Sequence, residues 1–66
     1  DDKKARTYAK SLGIEVIGIL GILFFNLKER KITKNEFLNL LNELIKKGYY
    51  ISPAIYAEII KEIGGI

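Results

Sequence analysis

Cysteine, histidine, methionine and tryptophan are all missing from these 66 residues, and proline occurs once. Without cysteine or histidine there is no disulfide, no Cys/His zinc site and no catalysis by a thiol or an imidazole. Charge of one sign is only slightly in excess. Eleven Lys and Arg stand against eight Asp and Glu, for a net +3, a weak pointer towards nucleic acid. A long uninterrupted apolar run is also lacking. The longest stretch, 14–27, is broken by Glu15 and Asn26 and falls short of the roughly 20 residues that a bilayer span needs. A charged, helix-like segment precedes it, with no signal-peptide cleavage pattern. These features predict a cytoplasmic protein with no anchor and no membrane partner. No methionine precedes Asp1, which is itself too large a residue to follow a removed one, and this predicts the tail of a longer chain.

What is present is a globular composition, 48% hydrophobic and 29% charged. A chain this short makes at most one small domain and buries only about 60% of its unfolded surface. Small domains of this kind often need a partner to persist.

Asp1 or Asp2 can cap a helix, because a carboxylate accepts the free amides of a first turn. Ala5, Tyr8, Ala9 and Leu12 recur at helical spacing and Gly13 follows, which predicts a helix over 3–12. Ile14-Glu15-Val16-Ile17 is short and β-branched and predicts a strand over 14–17 that ends at Gly18. Leu20, Leu23, Phe24 and Leu27 share one stripe, widened by Ile19, Ile22 and Phe25, so a largely buried helix is expected over 19–31. Gly18 and Gly21 near its start would let backbones approach closely. Thr33-Lys34-Asn35-Glu36 is a capping box opening a helix over 34–47. Gly48 ends that helix. Ser52-Pro53 then caps and starts a last one over 53–63.

Helix–strand–helix is the rhythm of an α/β parallel sheet, yet no second strand of equal quality exists. A buried lone strand would leave its amides and carbonyls unpaired. The sheet is therefore expected outside these residues. That predicts a single partial domain over 1–66, mostly helical, with four helices and one short parallel-type strand.

The order of landmarks carries a resemblance. Asp1-Asp2-Lys3-Lys4-Ala5-Arg6, then Ala9 to Gly13, then Val16 to Leu23 with its glycines, then Leu44 to Ser52 through Gly48-Tyr49, is similar to the C-terminal half of PIN-domain proteins. More narrowly it resembles a prokaryotic family related to the nucleases of toxin–antitoxin pairs. The resemblance spans essentially all 66 residues. It implies a parallel sheet wrapped by helices and a Mg²⁺ or Mn²⁺ site of three or four carboxylates that cleaves single-stranded RNA. Asp2 best matches one of those acids, with Asp1 beside it, as metal ligands and catalytic residues. The other acids would lie in regions absent here. The family usually carries Gly-Thr where this chain has Gly18-Ile19, so a hydroxyl that would cap the following helix is missing.

Hard-metal phosphodiester cleavage needs several oxygens converging on one or two ions. Glu15, Glu29, Glu36, Glu43, Glu58 and Glu62 fall on outward faces or at a cap, without convergent spacing. The chain is therefore expected to bind no Mg²⁺ or Mn²⁺ and to cut no RNA by itself. Asp1-Asp2 reads equally as a plain N-cap pair. Lys3, Lys4 and Arg6 read as phosphate contacts for RNA or as a solvated first turn. Lys28, Arg30, Lys31 and Lys34 suit a helix C-terminus or RNA. Tyr8 and Tyr56 are expected in the core, and Tyr49 and Tyr50 under the last helix, with base stacking as their other use.

Two non-catalytic readings stand beside this one. An interaction or oligomerisation module would bind the missing N-terminal half, a second copy or an antitoxin through exposed apolar surface. A helix-turn-helix would use 34–47 and 53–63, but the outward set Ala54, Ala57, Glu58, Lys61 and Glu62 suits phosphate poorly.

Overall fold

The computed structural model describes residues 2–66 and is built of three helices: α1 Asp2–Lys28, α2 Lys34–Lys46 and α3 Pro53–Gly64. Among the described residues there is no strand. This overturns the expected α/β class. The predicted helix over 3–12, the strand over 14–17 and the helix over 19–31 are one continuous 27-residue helix.

The reason lies in hydrogen bonding and in phase. With no sheet to join, Ile14–Ile17 can satisfy its amides and carbonyls only within its own segment, and a helix does so. Its β-branched residues cost a few tenths of a kcal/mol each in that state. Val16, only 7% exposed, also falls in phase with Leu20, Leu23 and Leu27 and extends their stripe by a turn. Gly13 and Gly18 do not stop the helix. Gly13, Gly18 and Gly21 keep ordinary negative φ, and a Cβ on any of them would meet nothing within 4 Å. Each nonetheless costs about 1 kcal/mol relative to alanine in a helix interior. Since no helix starts at residue 19, the hydroxyl missing at Ile19 has no cap to make.

α1 is about 40 Å long at 1.5 Å per residue, which accounts for nearly all of the molecule's 43 × 20 × 18 Å extent. As one helix it is long and apolar enough to cross a bilayer by length and composition; the expectation that it is too short counted only the apolar run 14–27. Its C-terminal half has another use. Leu27 joins Phe37, Leu41, Ile59 and Ile63 in the core, with Leu20, Leu23, Phe24, Ile32, Leu38, Ile51 and Tyr56 packed around them. Phe37 and Leu41 are fully buried, and the rings of Phe24 and Phe37 meet at 4.7 Å with a 53° tilt.

The ends of α2 and α3 follow the residues that announced them. The Glu36 amide donates to Thr33 Oγ1 at 3.1 Å and the Thr33 amide to Glu36 Oε1 at 3.0 Å. The Ile55 amide donates to Ser52 Oγ at 3.2 Å, with Pro53 opening α3. α1 and α2 close with the same pair of bonds. At the end of α1, the amides of Arg30 and Lys31 reach the carbonyls of Leu27 and Asn26. At the end of α2, those of Gly48 and Tyr49 reach Ile45 and Leu44. The left-handed position is Gly48 at φ 99 in one and Arg30 at φ 59 in the other.

Candidate functional site

The N-terminal half of α1 projects beyond the core, and Asp2 through Ser11 are all exposed. Asp2 stands in the first turn, where the unpaired amides favour a carboxylate. Its carbonyl accepts a bond from Arg6 Nε at 3.4 Å, and Thr7 Oγ1 donates to the Lys3 carbonyl at 2.9 Å. Lys3, Lys4, Thr7, Tyr8 and Ser11 line a shallow open recess. A second recess adjoins it through Tyr8 and continues over Leu12, Lys47, Gly48 and Tyr49. The structure thus brings three predicted RNA-contact residues, Lys3, Lys4 and Arg6, onto one solvent-facing stretch. Lys10 lies one turn beyond Arg6.

Three of the four tyrosine placements differ from expectation. Tyr8 is 68% exposed and Tyr50 80%, so neither is core nor packed under α3. Tyr8 projects because α2 and α3 cover only the far half of α1. Tyr49 is half-buried and donates its phenolic hydroxyl to Glu15 Oε1 at 2.7 Å. That bond, then partial burial and the negative charge of Glu15, raise its pKa above the ordinary 10.0. Tyr56 alone packs against the core as expected.

The acids do not converge. Among the described residues no three of His, Cys, Asp and Glu are grouped so as to hold a metal. Glu15, the next acid along α1 after Asp2, lies roughly 20 Å away along the axis. Asp1 lies outside the described residues. The described donor set therefore does not fit a Mg²⁺ or Mn²⁺ nuclease centre, which needs several oxygens on one ion. The helix-turn-helix reading gains nothing either, since Ala54, Ala57, Glu58, Lys61 and Glu62 do form the outward face of α3.

A family model described as a PIN domain matches residues 1–65. The chain belongs to the PIN-domain family, a nuclease-like family. Neither a curated protein nor a solved structure matches it. What sequence reasoning missed is the exposed Tyr8 beside the lysines. The signal was there: in 2–11 only Ala5, Tyr8 and Ala9 are apolar, which is thin cover for a buried face.

Proposed function

We propose that this chain is the RNA-facing helical part of a metal-dependent PIN-type ribonuclease of the toxin–antitoxin kind, and that it does not cut RNA by itself. The PIN match over 1–65 carries the reading. Exposed Lys3 and Lys4 in one recess with exposed Tyr8 support it, with exposed Arg6 and Lys10 on the opposite side of the same turns of α1. Such a surface holds single strands by neutralising phosphates and offering a ring for a base to stack on. A bound Mg²⁺ or Mn²⁺ would activate water and clamp the scissile phosphate. Asp2, with Asp1 beside it, would supply one carboxylate corner of such a centre, completed by acids from elsewhere in a PIN domain. No hydrolytic step runs through the described residues. The cytoplasm is the proposed location and an antitoxin or a second copy the proposed protein partner.

Binding of a labelled single-stranded RNA at several KCl concentrations tests this reading. With about three phosphates neutralised, log K should fall with log[salt] at a slope near −2. Replacing Lys3, Lys4 and Arg6 together by Gln should flatten that slope and leave the helix content intact. Equal binding and an unchanged slope in the variant would contradict the proposal. A second reading, an interaction module, is favoured by the face of α1 opposite its core stripe.

A further inference from the structure

Glu15 is an acid on the side of α1 that carries Lys4 and Tyr8. Lys4, Tyr8, Ser11 and Glu15 recur at three- and four-residue steps and share that side. A carboxylate there repels phosphate, so backbone binding does not account for it. The structure nevertheless holds it in place. Tyr49, from the turn after α2, donates its hydroxyl to Glu15 Oε1 at 2.7 Å. Glu15 is exposed, and its second oxygen takes no part in that bond.

Tyr8, Leu12, Lys47, Gly48 and Tyr49 line a recess of about 340 Å³, at the small end of the range for ligand sites. Its Tyr49 end carries the Glu15 carboxylate. The Tyr49 pKa is raised first by that bond, then by desolvation and the charge of Glu15, and last by the charge of Tyr8; the two phenols thus share one space. Lys47 is exposed, and it is its neighbour Lys46 that pairs with Glu43. The recess therefore combines a ring, an ammonium donor and a carboxylate that only accepts. Guanine alone among the RNA bases presents two adjacent donors, N1–H and the N2 amino group, beside an acceptor, O6. Adenine and cytosine turn a ring-nitrogen lone pair towards one carboxylate oxygen, and uracil flanks its single N–H with two carbonyls. Both arrangements set acceptor against acceptor, which costs binding.

We infer that this recess takes a guanine base of single-stranded RNA, stacked on Tyr8, with N1–H and the N2 amino group donating to Glu15 and O6 accepting from Lys47. Tyr49 is a positioning residue, because its hydroxyl fixes the carboxylate. The phosphates then lie towards Lys4, in the recess that adjoins this one through Tyr8. This inference rests on the RNA reading and adds the base that the surface selects. A bond between Tyr49 and Glu15 that served the fold alone would bring no preference among bases.

Binding of short labelled oligouridines, plain or with one central guanosine, inosine or adenosine, tests it at low salt. The guanosine strand should bind about tenfold tighter than the adenosine strand. Inosine, which lacks the N2 amino group, should fall between them. Glu15→Gln keeps an oxygen for the Tyr49 hydroxyl and removes the charge. It should erase the difference between guanosine and adenosine, with plain oligouridine bound no more weakly and helix content by circular dichroism unchanged. Lys47→Gln should reduce the guanosine preference. Guanosine and adenosine strands bound alike by the wild type, or a guanosine preference that survives Glu15→Gln, would overturn the inference and leave the RNA reading standing. Failure of every strand to bind would remove the RNA reading and this inference together.

Discussion

Tyr49 donates its hydroxyl to Glu15 at 2.7 Å across 34 residues of sequence, tying the turn after α2 to the part of α1 that leaves the core. Tyr49→Phe removes the bond, so the chain should unfold at lower urea. The pH dependence has a definite sign. Tyr49 titrates higher in the folded state than the ordinary 10.0, so its contribution is complete below pH 10 and is lost as pH rises through the raised folded value. Urea midpoints at pH 8 and pH 11 should converge between wild type and Tyr49→Phe at the higher pH. A gap of equal size at both would show that the bond is not the source of the difference.

The two matching helix ends differ in one residue, and that difference is measurable. Arg30 occupies a left-handed position at φ 59 where α2 uses Gly48 at φ 99. Arg30→Gly relieves a conformation that costs an L-residue about 1 kcal/mol, and thermal unfolding should shift upward. Gly48→Ala should shift it downward by a similar amount. The same sign for both substitutions would mean that backbone conformation does not govern these turns.

Continuity of α1 through 14–17 makes a prediction that a strand does not share. In the helix, Val16 points to the core side and Ile17 away, at 7% and 70% exposure. Val16→Lys should cost about 2 kcal/mol, the scale of burying one aliphatic side chain. Ile17→Lys should leave the stability of the monomer within about 0.5 kcal/mol of wild type. Urea denaturation at low protein concentration reads both, and a reversed order would contradict the helix.

Phe37 and Leu41 are fully buried in a core with few members. Phe37→Ala should cost about 3–5 kcal/mol, enough to unfold a domain this small. Tyr50→Ala, at a side chain 80% exposed, should change little. Circular dichroism at 25 °C separates the two outcomes.

The parts legible in the sequence are those written in local chemistry. Thr33 with Glu36, Ser52 with Pro53, and Gly48 each fix a helix end through bonds within a few residues. α1 was not legible because Gly18 reads as punctuation and Ile14–Ile17 as a strand, whereas the decision rests on whether a sheet exists to receive them. Only the phase relation of Val16 to Leu20, across the glycine, hinted at one helix. The basic residues of the candidate site were legible; its aromatic member was not, because exposure of Tyr8 depends on how far α2 and α3 reach along α1. The metal corner at Asp2 comes from family resemblance, since ligands distant along a chain leave no local spacing to read.

The most direct measurement is a time course of fluorescence anisotropy with a labelled single-stranded RNA, this chain and Mn²⁺ at low salt. The account expects anisotropy to rise on mixing and then hold, because the basic stretch around Tyr8 binds while no described group of acids can cut. Anisotropy that falls with time below that of the free RNA, and only when Mn²⁺ is present, would contradict it by showing a complete nuclease in these 66 residues.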